Sequence, residues 1–511
     1  MGMVARWVSE GVQSPWRQGA LLGILCFATL AALIFATPAF LGTDDYYHAR
    51  ISAQIIAQGQ LRLDFPWLPR TLLSPERFVD HHLLYHLYLA PWVHLGGVAG
   101  AKLAQAGVAT GVFLMAWVLL RSIGVRHAAA WTLAMFGLST PFLYRMLMLR
   151  TQAASLLLLL AALYVLFRCQ YRWLLPLAFA YTWLYDGFVL LLAFAALYTA
   201  AQWIAARQLD WQPLAFGVAG VALGLVVNPY FPQNLLFIAE HLGAKVDLQS
   251  SVRVGNEWYP YQTGTLLNNS AGALLALALG ILRPSFGGRR RDRFETTLLF
   301  AALLTLFMLL NSRRFIEYFP AFALLFCAAA WGRGRLPLSS WLPRMALVHA
   351  AAATAMVLVA ALFVAATFIN AHGDARSAKG VDTFAGASAW LRTHTPAGAP
   401  VFQTDWDDFT RLFYYNTHNT YLVGLDPTYL ERADPALWDQ WVAITEGRVA
   451  RPSQAIRAAF GSHYVVSDSG HRAFADKADD DPDMREVYRD GSSVVWEIAP
   501  TAVQHRELGA R

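Results

Sequence analysis

The sequence predicts a polytopic α-helical membrane protein that ends in an α/β domain outside the membrane, and three observations carry that prediction. Of its 511 residues 56% are hydrophobic and only 14% charged, with a mean hydropathy of +0.38, whereas a soluble domain carries about 25% charged residues. Apolar runs long enough to cross a hydrocarbon core of ~30 Å recur as far as residue 370, joined by short arginine-bearing connections. From Ala371 onward charged and polar residues dominate.

Each element follows in order. Arg6 and Arg17 precede an apolar run from Ala20 to Leu41, read as an uncleaved first span with a cytoplasmic N-terminus. Residues 42–100 then form a long external loop. Its apolar stretch from His82 to Gly96 carries His82, His86 and His94 and is interrupted by Pro91, which favours an interfacial or half-inserted helix over a full span. Later spans are expected at roughly 101–121, 128–144, 152–168, 173–186, 187–206, 212–228, 269–283, 294–311, 316–332 and 344–370, about eleven in all. Their cytoplasmic connections then hold Arg121, Arg126, Arg168, Arg172, Arg207, Arg283, Arg289, Arg290, Arg291, Arg293, Arg333, Arg335 and Arg344, the positive-inside pattern. A second long external loop covers 228–268. In the tail, short runs at Pro400–Thr404, Tyr421–Leu425, His463–Ser467 and Val494–Ile498 read as strands and Val381–Arg392 as a helix. The division expected is a transmembrane domain at 1–370 and an external α/β domain at 371–511.

Composition also excludes some functions. The net charge of +6 is explained by arginines at span ends, so no nucleic-acid partner is expected. Cys26, Cys169 and Cys327 lie in or beside apolar segments without paired spacing, which supports neither a disulfide framework nor a zinc site.

The chemistry gathers in the first external loop. A charge at a bilayer centre costs about 2.5–3.5 kcal/mol even on lenient insertion scales, so the cluster of Asp44, Asp45, Asp64, Glu76, Asp80 and the neighbouring histidines must meet water. Asp44 and Asp45 suit a divalent metal or a general base, and an adjacent Asp pair at a helix start is equally a plain N-cap. Asp80, His81 and His82, with His86 one turn on, combine oxygen and imidazole ligands. Histidines on an amphipathic surface helix are also ordinary polar-face residues.

The segment Asp44-x-Tyr46-Tyr47-x-x-Arg50, in the first external loop, resembles the Asp-x-aromatic-aromatic-x-x-Arg motif of the oligosaccharyltransferase catalytic subunit, a metal-dependent GT-C glycosyltransferase. The resemblance implies a GT-C fold, with Asp44 catalytic and binding a divalent metal, Mn or Mg. It also implies that Glu257, in Gly255-Asn256-Glu257-Trp258, helps organise the metal, and that Arg313 or Arg314 grips the donor's phosphate, with Arg50 as a further candidate. Asp45 joins the catalytic set, and Asp80, His81 and His82 join the metal set. Two departures stand out: the family's second acidic motif is replaced by Arg145-Met-Leu-Met-Leu-Arg150, and its acceptor-reading motif is reduced to Trp406-Asp407-Asp408.

The expected activity is transfer of a sugar or oligosaccharide from a polyprenyl-(pyro)phosphate donor to a protein or glycan acceptor, on the external face of the plasma (inner) membrane. One alternative is a metal-independent GT-C transferase using a polyprenyl-monophosphate monosaccharide, of the protein mannosyltransferase or aminoarabinose transferase type. A transporter or assembly protein is the other; it would place ionisable residues near the midplane of its spans and show an internal repeat, and neither is evident.

Overall fold

The computed structural model describes residues 14–246, 255–283, 290–333 and 346–499. Arg6, Arg289, Arg335 and Arg344, and residues 247–254 of the second long loop, lie outside the described residues.

The chain begins with helices α1 (Pro15–Ile34), α2 (Asp44–Gln58), α3 (Leu83–Ser122) and α4 (Ala128–Ala134), then α5 (Thr140–Leu147), α6 (Thr151–Phe167), α7 (Leu174–Leu184), α8 (Val189–Ala206) and α9 (Gln212–Val226). It continues with α10 (Gln233–Val246), α11 (Thr263–Leu282), α12 (Arg293–Asn311), α13 (Phe319–Gly332) and α14 (Ala346–Arg376). A helix therefore stands in every apolar run read from the sequence. Among the described residues six helices are long and apolar enough to cross a membrane, or seven if α5 and α6, bent by 103°, make one broken span. The expectation of about eleven also counts apolar helices of 11 to 15 residues, Leu174–Leu184, Gln212–Val226 and Phe319–Gly332, and one run that is broken. Ser139, whose hydroxyl accepts the Phe142 N–H at 3.2 Å, starts a new helix inside the run expected at 128–144. The first span also ends earlier than expected, at Ile34.

Pro91 does not interrupt its helix. The break falls at Gly97, whose φ of 52° and ψ of −132° suit glycine alone. The two limbs of α3 then fold back on each other: the Tyr88 hydroxyl donates to Ala104 O at 2.9 Å and the Tyr85 hydroxyl to Gln105 Oε1 at 2.8 Å. In a straight helix sixteen residues would separate Tyr88 and Ala104 by about 24 Å. A Cβ on Gly100 would stand 2.0 Å from Trp92 O, so only glycine allows this approach.

By packing, the chain forms two compact units. The first combines Met1–Thr37, His81–Asn228 and Asn256–Ala378. At its centre runs α13, buried from Phe319 to Ala330 on every side, as an all-apolar helix should be. Around it, exposed Ile24, Val218, Val226 and Phe307 present the apolar exterior of a membrane protein. Lys102, 2% exposed, donates to Thr37 O at 2.7 Å and so ties α3 to the end of α1.

The second unit combines Pro38–Asp80, Pro229–Gly255 and Lys379–Arg511. Its sheet contains β1 (Pro400–Gln403), β2 (Thr420–Tyr421), β3 (Tyr464–Asp468), β4 (Met484–Arg489) and β5 (Ser493–Ile498). The spatial order is β2-β1-β3-β5-β4, with the first three parallel and β5 antiparallel to both neighbours. Helices α15 (Ala385–His394), α16 (Phe409–Tyr415), α17 (Thr428–Ala433), α18 (Pro435–Thr445), α19 (Pro452–Phe460) and α20 (Arg472–Asp479) complete the unit. Phe402, Val465, Phe474 and Trp496 centre its core. Segment 38–80 packs against this part of the unit. Tyr46 meets Phe40 and Tyr414 edge-on at 5.0 and 5.3 Å, and the Trp67 ring lies 4.8 Å from Phe413. Backbone joins them too, for the Tyr421 N–H donates to Trp67 O at 2.8 Å.

Candidate active site

In the first unit three guanidiniums converge on one carboxylate. Glu257 lies on a 3-10 turn, Asn256–Trp258. Its Oε2 accepts from Arg145 Nη2 and Arg150 Nη1, both at 2.9 Å, and its Oε1 lies 3.2 Å from Arg314 Nη1. Arg145 also pairs through Nε with Glu317, a carboxylate only 1% exposed. Burial alone would raise the Glu257 carboxyl, yet the charges of Arg150, Arg314 and Arg145 hold it well below the usual carboxylate range.

Neighbouring Arg313 and Arg314 divide their work. Arg313 clamps the loop backbone, donating from Nε to Tyr259 O and from Nη2 to Pro260 O, each at 3.1 Å. The Ser312 hydroxyl holds Glu257 O at 2.8 Å. Arg314 turns the other way, lying 4.7 Å over the Trp258 ring and donating from Nη2 to the Tyr185 hydroxyl at 3.4 Å. Arg314 is therefore in the cluster, and Arg313 holds the turn that carries Glu257.

Two of the histidines reach the same cluster. The rings of His81 and His82 lie 3.9 Å apart, and His82 stacks on Tyr185 at 5.7 Å. The charges of His81 and Arg314 both act on Asp186, which is buried.

Asp44, Asp45, Asp80 and Arg50 belong to the second unit. Asp45, 1% exposed, accepts the Gly42 N–H at 3.1 Å and closes the turn ahead of α2. Asp44 is half-buried on the same first turn. Asp44 and Asp80 both act on buried Tyr47, whose phenol is pushed well above its ordinary value by burial and then by Asp80. Arg50 donates from Nη2 to Thr417 Oγ1 at 3.5 Å. Asp407 Oδ1 accepts from the Thr43 hydroxyl at 3.0 Å, Trp406 packs against the domain core, and Asp408 is buried, its carboxyl pushed well up by burial and then by Asp405. All three lie in the second unit, Trp406 and Asp407 partly buried and Asp408 buried.

The expected metal set does not fit. Among the described residues no group of three or more His, Cys, Asp or Glu side chains could hold a metal ion. Both oxygens of Glu257 already face guanidiniums, and a divalent cation there would meet three positive charges. The guanidiniums therefore compete with any metal for the Glu257 carboxylate, and Asp44, Asp80, His81 and His82 form no such group with it among the described residues. The residues absent from the expected site are Arg145, Arg150, Tyr185, Asp186 and Glu317. Arg145 and Arg150 had a signal: two arginines stand where the resembled family carries acid.

No protein-family model matches the chain, and no curated protein sequence matches it. Solved structures do. Oligosaccharyltransferase AglB from Archaeoglobus fulgidus, in complex with an inhibitory peptide and a dolichol-phosphate, superposes with a TM-score of 0.64 at 14% identity, over 92% of this chain and 72% of that one. ArnT from Cupriavidus metallidurans bound to undecaprenyl phosphate gives 0.57 at 16% identity, over 94% of this chain and 98% of that one. The chain has the GT-C fold. The mycobacterial arabinofuranosyltransferase AftD shares this GT-C fold with a TM-score of 0.57 and 15% identity, the match covering 94% of this chain and 41% of that one. Another structure of the A. fulgidus enzyme is a complex with Zn and sulfate. In this GT-C chain, by contrast, three arginines surround Glu257.

Proposed function

We propose that this chain is a membrane glycosyltransferase that moves a sugar from a polyprenyl-phosphate carrier to an acceptor on the external face of the plasma membrane, with residues 371–511 on that same side. One observation carries the reading: three guanidiniums converge on a single carboxylate in a chain of the GT-C fold. In such a transfer the bond from sugar C1 to the carrier's phosphate oxygen breaks, and that oxygen keeps the electron pair. A new C1 bond forms to the acceptor, whose proton passes to a carboxylate base, the role assigned to Asp44. Negative charge builds on the leaving phosphate, and fixed guanidiniums stabilise it where it appears. Arg314, Arg145 and Arg150 fill that role. ArnT, a structural neighbour, is solved with undecaprenyl phosphate, which favours a monophosphate carrier.

The same cage favours the metal-independent branch over the metal-using oligosaccharyltransferase type, because cations already occupy the place of Glu257's expected metal. The test is release of polyprenyl phosphate from a polyprenyl-monophosphoryl sugar by the purified full chain, with and without chelator. Release that survives chelator and is lost in Arg314→Gln is the expected result. Activity that disappears with chelator and returns with Mn²⁺ would restore the metal-using reading.

A further inference from the structure

We infer that Glu257 is a placeholder for the donor's phosphate: its carboxylate holds the three guanidiniums in the empty state and is exchanged for the phosphate when the lipid binds. The inference rests on the donor-phosphate role proposed above for Arg314 and its neighbours.

Geometry comes first. Oε2 of Glu257 takes one N–H from Arg145 and one from Arg150, while Oε1 faces Arg314. Three guanidiniums from distant points of the sequence are thereby aimed at a pair of anionic oxygens about the width of a phosphate edge, and guanidinium forks serve carboxylate and phosphate alike.

Two of the three arginines have holders besides Glu257. Arg145 is also held by Glu317, and Arg314 by the Tyr185 hydroxyl and the Trp258 ring. A carboxylate serving only as a strut would leave its partners without other holders. The two glutamates also differ in freedom. The Glu317 side chain is 1% exposed and cannot leave, whereas that of Glu257 is 23% exposed on a short turn and can swing into water, where its charge is solvated. The backbone stays behind, pinned through Ser312 and Arg313.

Charge then fits an anionic ligand. Departure of Glu257 removes one of the carboxylates that face the three arginines, Glu317 and the nearby Asp186 staying behind, so positive charge is freed for a phosphate.

A competing carboxylate lowers apparent affinity by the fraction of time it occupies the cage. The experiment is equilibrium binding of a fluorescent polyprenyl phosphate to the purified full chain in nanodiscs, for wild type, Glu257→Gln, Glu257→Asp and Arg314→Gln, each checked by thermal unfolding. If the carboxylate holds the cage about nine-tenths of the time, Glu257→Gln binds about tenfold tighter than wild type. Glu257→Asp, too short to reach all three guanidiniums, gives a smaller gain and decides the matter where Glu257→Gln fails to fold. Arg314→Gln loses most of the binding. Equal or weaker binding in folded Glu257 variants, with wild type still binding, overturns the placeholder and leaves the donor site standing. No binding by wild type or by any variant overturns both.

Discussion

Arg145 faces two carboxylates, Glu257 and the buried Glu317. Arg145→Gln would leave Glu317 as a charge without its partner, and breaking one side of a buried pair costs about 3–5 kcal/mol. Arg150→Gln removes a hydrogen-bonded partner from the more exposed Glu257 and leaves the Arg145–Glu317 pair in place. The unfolding temperature in detergent should therefore fall much further for Arg145→Gln than for Arg150→Gln, and the double variant Arg145→Gln/Glu317→Gln should recover much of the loss. At the other proposed position, Asp44→Asn should lower transfer by roughly 10²–10⁴-fold, the size of a general base, with melting unchanged. Asp45→Asn, acting on a turn, should instead cost about 1 kcal/mol of stability with transfer largely kept. Glu257 and Arg314, which the fold brings together, were legible because each stands in a short local motif. The bridges from Arg145 and Arg150 to Glu257 span 112 and 107 residues, and an ion pair between distant segments leaves no periodic trace in a sequence.

Elements were legible where one face or the whole circumference is apolar. Strand β4 was not, since its Met-Arg-Glu-Val-Tyr-Arg run has no apolar alternation. It lies at the sheet edge, where Arg485 pairs with Glu497 of β5 at 2.7 Å, and a charged edge discourages further pairing. The hairpin in α3 was not legible: Pro91 drew the expected break, whereas the chain turns at Gly97. Gly100→Ala should destabilise this hairpin by about 3 kcal/mol or prevent its closure, since no side chain can yield when the opposing atom is the Trp92 carbonyl. The level of folded protein recovered from membranes measures it. At the C-terminal end of β3, Asp468 Oδ1 meets His471 Nδ1 at 2.7 Å. That bond raises His471 above its ordinary 6.5 and lowers Asp468 below 3.8. The histidine's contribution is complete below the unfolded value and is lost as pH rises through its raised folded value. The aspartate's contribution is present above its unfolded value and is lost as pH falls through its lowered folded one. The pair therefore stabilises between the carboxylate range and neutrality, and Asp468→Asn should flatten the decline in unfolding temperature from pH 6 to 8.

At the scale of the molecule, the two compact units cut across the linear chain. The second unit recruits residues 38–80 and 229–255 to the C-terminal segment. An isolated fragment 379–499 would expose the ring of Phe413, which Phe65 and Trp67 otherwise cover at 5.8 and 4.8 Å. Such a fragment should melt broadly and bind a hydrophobic dye, and adding back a peptide of residues 38–80 should reduce the dye signal. The same arrangement imposes an order of events on synthesis. Thr43 and its partner Asp407 are 364 residues apart, and Trp67 and Thr417 are 350 apart. At about 5–20 residues per second, the helix that carries Asp44 leaves the ribosome roughly 20–70 s before the segment that encloses it exists. The later spans are made during that wait, so a prematurely terminated chain holds its arginines and its acids yet never acquires the lining around Tyr46 and Trp67. A chain halted before Phe413 therefore lacks the rings that cover Tyr46 and Trp67.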